Sequence, residues 1–173
     1  MGYVLIPEER IQERIAYLAK DIAMDFQQVH AIVVMKGAVM FFEDLRRALE
    51  ELGISITFDP VTVRSYAGTQ STGKIKVLQE VEDIAGEDLL LVEDIVDTGL
   101  TVKFLKKHLL QKGAKSVKIC TLLEKPTKRK HKIRLDYVGF TIPDVFVVGY
   151  GMDYEEQYRE LTYVGVLKTT EKE

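Results

Sequence analysis

A chain of 173 residues, 46% of them apolar and 29% charged, has the composition of one ordinary globular domain with a real core rather than of a disordered segment. Its net charge of −3 gives no general attraction to nucleic acid or to an anionic membrane, and no apolar run approaches the roughly 20 residues that span a bilayer. A single cysteine excludes an intramolecular disulfide. The N-terminus lacks the basic start and small-residue cleavage site of a signal peptide, and Ile6 stands where a myristoylation signal wants Ser or Thr. A cytoplasmic protein with no membrane and no nucleic-acid partner is expected.

Ile11, Ile15, Leu18, Ile22 and Phe26 recur at helical spacing, which predicts an amphipathic helix from about Pro7 to Phe26. Ala31 to Met35 reads as a short buried strand, Lys36-Gly37 breaks it, and Ala38 to Glu50 reads as the helix that follows. Ile54 to Val63 is a second strand, interrupted at Pro60. From Arg64 to Lys76 the pattern stops, and a polar, glycine-punctuated stretch of this length reads as a functional lid or a disordered segment. Leu89 to Val92 is the clearest buried strand; it runs into Glu93-Asp94, a turn, and a helix from about Thr101 to Lys112 that Gly113 ends. Ser116 to Leu123 is another strand, in which Cys120 reads as buried and inert. The basic run Lys125 to Lys132 reads as a solvated loop, and Tyr137–Phe140, Val145–Val148 and Tyr163–Leu167 close the chain as short strands.

Near-continuous apolar strands that alternate with helices indicate an α/β fold, with a mostly parallel sheet covered on both faces. With neither repeat nor linker, residues 1–173 count as a single domain. The short strands of the last third suggest a small subdomain built mainly from the C-terminal part.

The chemistry concentrates in Leu89-Leu-Leu-Val-Glu-Asp-Ile-Val-Asp-Thr-Gly-Leu-Thr101. Ligands of open parallel sheets bind at the carboxyl ends of strands, so Glu93, Asp94 and Asp97 stand where a ligand would. Asp97-Thr-Gly-Leu-Thr101 then opens a helix, with hydroxyls on Thr98 and Thr101, close backbone approach at Gly99, and unpaired first-turn N–H groups suited to a monophosphate. Carboxylates beside a phosphate repel it unless sugar hydroxyls or Mg²⁺ intervene. A phosphorylated sugar with vicinal hydroxyls meets that demand; a receiver-like or flavodoxin-like strand with acids at its end is the plainer alternative. Neither a P-loop nor a Gly-x-Gly-x-x-Gly fingerprint is present, and His30, His108 and His131 have no metal-ligand spacing.

Val92-Glu-Asp-Ile-Val-Asp-Thr-Gly-Leu-Thr101 resembles the 5-phosphoribosyl 1-diphosphate motif of the type I phosphoribosyltransferases. Met35-Lys-Gly looks like that family's diphosphate loop, and Arg64-Ser-Tyr like its flexible catalytic loop. Leu123-Glu-Lys125 and Val145 to Tyr154 look like the base-binding hood of its hypoxanthine–guanine branch.

The resemblance implies the type I fold, with a central mostly parallel sheet, flanking helices and a small hood. The implied activity is Mg²⁺-dependent purine salvage, converting hypoxanthine or guanine and 5-phosphoribosyl 1-diphosphate to IMP or GMP and diphosphate. It further implies that Glu93 and Asp94 hold the ribose, that Asp97, Thr98, Gly99, Leu100 and Thr101 cradle the 5′-phosphate, and that Asp97 is the general acid/base at N7. Lys36, Gly37 and Arg159 would bind diphosphate, Ser65 and Tyr66 would ride on the lid, and a cis peptide would precede Lys36. Lys125, Phe146, Val147 and Asp153 would meet the purine, and Glu93, Asp94 and Asp153 the metal. Lys125, a donor only, suits the exocyclic oxygen of a 6-oxopurine and not the amino group of adenine. A homodimer or homotetramer goes with the family. An RNA-binding regulator on the same fold and a xanthine-specific enzyme are the rival readings.

Overall fold

The computed structural model describes residues 1–65 and 74–168. Among these residues β2 (Gln28–Val34), β3 (Ser55–Ser65), β4 (Ile75–Gln79), β5 (Asp88–Val96), β6 (Ser116–Glu124) and β7 (Tyr137–Thr141) form a six-stranded sheet of order β4-β3-β2-β5-β6-β7. All its pairings are parallel except β3 with β4. A second, three-stranded antiparallel sheet joins β1 (Tyr3–Ile6), β9 (Val164–Val166) and β8 (Val147–Val148).

The two faces of the large sheet are covered by different helices, as strand alternation requires. Ala31, Val33, Leu90, Val92, Cys120 and Leu122 pack with α1 (Glu8–Asp25) and α2 (Val39–Glu51), whose Ile11, Ile15, Leu18, Ile22, Phe41 and Leu45 are buried. Ile32, Val34, Leu89, Leu91, Val117 and Ile119 pack against Val102, Leu105 and Leu109 of α3 (Leu100–Gln111). Each such buried aliphatic side chain contributes roughly 1.5–3 kcal/mol. The Cys120 thiol is fully buried and its pKa is pushed up by desolvation, in keeping with an inert role.

Because β2 leads through α2 to β3 on one side, while β5 leads through α3 to β6 on the other, the strand order reverses between β2 and β5. A crevice at the carboxyl ends of these two strands follows from that topology.

Several sequence expectations need correction. Pro60 does not interrupt β3: it pairs with Val33 on one side, while β4 pairs on the other only from Thr62 onward, so the missing N–H breaks no ladder. Strand pairing continues through Arg64 and Ser65, which face Lys76 and Ile75, so the ends of the supposed lid are a β-ribbon. Tyr66 lies outside the described residues. Strand β5 runs past Val92 to Val96, so Glu93 and Asp94 stand within its carboxyl end, ahead of the turn at Asp97. The strand expected from Val145 contracts to Val147–Val148. Strands β1 and β4 have no counterpart in the sequence reading.

Candidate active site

The carboxyl ends of β2 and β5 and the strand-poor segment after β8 enclose a cleft of about 490 Å³. Its lining brings together Lys36, Gly37, Asp94, Asp97, Lys125, Phe146, Val147, Asp153 and Arg159 from widely separated stretches. Met35, Ile95, Lys128 and Met152 line it too. Beside it, Glu93 and residues 95–102 line a smaller recess of about 170 Å³ at the N-terminus of α3, which holds Thr98, Gly99, Leu100 and Thr101.

Three segments meet closely at the cleft floor. The Met35–Lys36 peptide is cis. A Cβ on Gly37 would lie 2.0 Å from Asp94 Oδ2, and one on Gly151 would lie 2.5 Å from the Gly37 carbonyl oxygen. Only hydrogen-sized side chains let these segments meet.

The acids of β5 stand in unlike surroundings. Glu93 is 7% exposed and its Oε1 accepts the Asp94 N–H at 3.0 Å. Desolvation, and after it the neighbouring Asp94 carboxylate, hold its pKa well above the usual carboxylate range. Asp94 Oδ1 accepts the Ile95 N–H at 2.7 Å. Asp97 lies just past the strand, and its buried Oδ1 has no hydrogen-bond partner among the described residues. The closest cation to that oxygen is Lys125 Nζ at 3.8 Å, too far for a hydrogen bond. Lys125 is itself 5% exposed, and a buried ammonium without close acceptors is costly. The pair therefore has donor and acceptor capacity left for a ligand.

On the opposite wall Phe146 is 44% exposed and meets Tyr154 edge-on, with ring centroids 5.7 Å apart. Its open face suits stacking on a planar ring. Arg159 donates from Nη1 to the Gly151 carbonyl at 2.8 Å and pairs through Nη2 with Asp153 at 3.3 Å, while its buried Nε has no partner among the described residues. Asp153 also accepts the Glu156 N–H at 2.9 Å. Among the described residues no three His, Cys, Asp or Glu side chains converge as a metal cage. Mg²⁺ does not require one, since it is held by one or two carboxylates together with substrate oxygens and water. Asp94 and Asp153, both on the cleft, fit that mode; buried Glu93, with its raised pKa, suits a hydroxyl better than a cation.

The basic run departs most from expectation. Lys128 lines the cleft, and Arg129 folds back over the Asp97 turn, donating from Nε to the Asp97 carbonyl at 3.1 Å and from Nη2 to Glu124 at 3.4 Å. In the sequence these are two of many consecutive cations, and charge spacing alone does not distinguish them.

Residues 7–155 match the model of the phosphoribosyl transferase domain. The chain belongs to the phosphoribosyltransferase family. Hypoxanthine-guanine phosphoribosyltransferase from Bacillus subtilis (strain 168) is 43% identical, with 95% of this chain and 92% of that protein aligned. The enzyme of the same name from Mycobacterium tuberculosis (strain ATCC 25618 / H37Rv) is 42% identical, over 95% and 85% of the two chains. A crystal structure of a hypoxanthine-guanine phosphoribosyltransferase from Bacillus anthracis, with a HEPES molecule in its active site, superimposes with a TM-score of 0.89 at 42% identity, covering 95% of this chain and 98% of that one. This phosphoribosyltransferase is thus a pentosyltransferase of purine salvage with the type I fold. No helix of the described residues is long and apolar enough to cross a membrane.

Proposed function

We propose that this phosphoribosyltransferase moves the 5-phosphoribosyl group of 5-phosphoribosyl 1-diphosphate to N9 of hypoxanthine or guanine, giving IMP or GMP and diphosphate. The observation that carries this reading is the Asp97–Lys125 pair, in which an unpartnered carboxylate oxygen and a buried ammonium meet beside a phosphate-sized recess. Lys125 donates to the exocyclic oxygen at C6, and adenine, with a donor at that place, would oppose two donors in a desolvated site. Asp97 handles the proton at N7 while N9 bonds to the sugar, a service worth about 10²–10⁴ in rate.

The remaining residues bind and orient. Phe146 stacks on the purine, and the backbone at Val147 and Asp153 meets the base edge. Asp94 and Glu93 hold the ribose hydroxyls; Asp97 to Thr101 cradle the 5′-phosphate. Lys36, Gly37 and Arg159 take the diphosphate, and Ser65 and Tyr66 close over the reacting centre. Mg²⁺, held by Asp94 and by Asp153 directly or through water, with Glu93 as a further candidate, would neutralise the diphosphate as it leaves. One domain carries the whole site, working in the cytoplasm as a homodimer or homotetramer, a state that sedimentation of the purified protein tests.

The deciding assay follows nucleotide formation from 5-phosphoribosyl 1-diphosphate with each purine in turn, with Mg²⁺ and with chelator. Turnover of hypoxanthine and guanine, but not adenine, is the expected result. Equal use of adenine would defeat the role of Lys125, and activity undiminished by chelator would remove the metal.

A further inference from the structure

The turn that the proposed function assigns to the 5′-phosphate is held from behind. The three successive carbonyls that lead into it, those of Val96, Asp97 and Thr98, are each bound by the segment after β6. Lys125 N–H donates to Val96 at 3.0 Å, Arg129 Nε donates to Asp97 at 3.1 Å, and the N–H groups of Lys130 and His131 both donate to Thr98 at 2.9 Å. In a planar trans peptide the C=O of one residue and the N–H of the next point to opposite sides. Tying back the carbonyls of Val96, Asp97 and Thr98 therefore aims the N–H groups of Asp97, Thr98 and Gly99 away from that segment. A recess that expects an anion needs those donors aimed into it.

Among these four ties only the one on Asp97 comes from a side chain. The Arg129 guanidinium is steadied on its other edge by Glu124, and both side chains are four-fifths buried. Its Cδ lies 2.9 Å from where a Cβ on Gly99 would stand, so the arginine can cross the turn only because Gly99 has no side chain.

We infer that Arg129 is a positioning residue: held by Glu124, it fixes the Asp97–Thr98 peptide so that the Thr98 N–H serves the phosphate and the Asp97 side chain keeps its place over the base. This rests on the reading of the turn as the 5′-phosphate site. A peptide free to rotate would present its carbonyl oxygen to the phosphate in part of the population.

Calorimetric titration with two separate probes, ribose 5-phosphate for the turn and inorganic diphosphate for the Lys36–Gly37 loop, tests it. Arg129→Met should weaken ribose 5-phosphate about tenfold, the worth of one charge-assisted hydrogen bond, and leave diphosphate unchanged. Arg129→Lys should recover part of that loss, and Glu124→Gln should lose about threefold in the same direction, which keeps the test open should the methionine variant fold poorly. Unchanged ribose 5-phosphate binding in Arg129→Met would overturn the role of Arg129 while leaving the proposed reaction standing. Equal loss of both probes would overturn it also, as general damage. A wild-type protein that binds no ribose 5-phosphate would bring down the reading of the turn and the inference with it.

Discussion

The two ends of the parallel sheet carry comparable numbers of charged groups and use them in opposite ways. At the amino end a groove of about 720 Å³ is bordered by Asp25, His30, Glu87, Asp88, Ser116 and Lys118. His30 is held between Glu87 and Asp59, Ser116 donates to Asp88 at 2.6 Å, and Asp25 accepts from the Tyr137 hydroxyl with Lys118 at 3.6 Å. The cleft at the carboxyl end is smaller, yet both buried side-chain atoms without a hydrogen-bond partner among the described residues, Asp97 Oδ1 and Arg159 Nε, belong to it. Cavity size does not mark the candidate active site here; unspent hydrogen-bonding capacity does.

That contrast can be broken most sharply at Asp97. Replacement by Asn keeps the shape of the turn but removes the proton acceptor, and turnover should fall by about 10²–10⁴ with ribose 5-phosphate affinity nearly intact. Steady-state kinetics beside calorimetry would show it, and unchanged turnover would take Asp97 out of the chemistry. Lys125→Gln should lower kcat/KM for hypoxanthine by about 10- to 100-fold, the loss of one hydrogen bond from a charged donor. If adenine use rises in the same variant, the ammonium is shown to be the discriminating group.

Two smaller effects test the stability side of the comparison. Glu93 has a raised pKa in the fold, so as pH climbs from about 4.5 the unfolded chain ionises first and the native state loses ground. Glu93→Gln removes that loss, and its urea midpoint at pH 8 should exceed that of the parent, as expected where a binding site costs stability. At the other end, burial alone would lower the His30 pKa, but Glu87 and then Asp59 raise it above 6.5. The stabilisation from the protonated ring is complete below pH 6.5 and fades as pH rises through the raised value. His30→Asn should therefore lower the midpoint more at pH 6 than at pH 8, with turnover unaffected. A variant that lost activity would mean the two ends are coupled.

What the sequence made legible was contiguous. Leu89 to Thr101 contains strand, acids and helix opening in one stretch, and the structure keeps them together because neighbours in the chain stay neighbours in space. Lys125, Phe146 and Arg159 came from resemblance alone, since residue type and spacing carry no trace of a cleft assembled from distant segments. Strand β4 was hidden because only its alternate residues are partly buried, and β1 because it is four residues long with a single buried residue. Arg129 was hidden among cations: what separates a strut from a solvated charge is the carbonyl beneath it, and Asp97 is 32 positions away.

The pairing of β1 with β9 has a bearing on how the molecule is made. Tyr3 lies opposite Val166, so β1 finds its partner only after everything between the two strands has been translated. Closing so long a loop is slow, and the large sheet can assemble in the meantime from pairings closer in sequence. The three-stranded sheet is accordingly the last part of this fold to mature, and translation arrested before β9 would leave Val147 and Val148 of β8 without their strand partner.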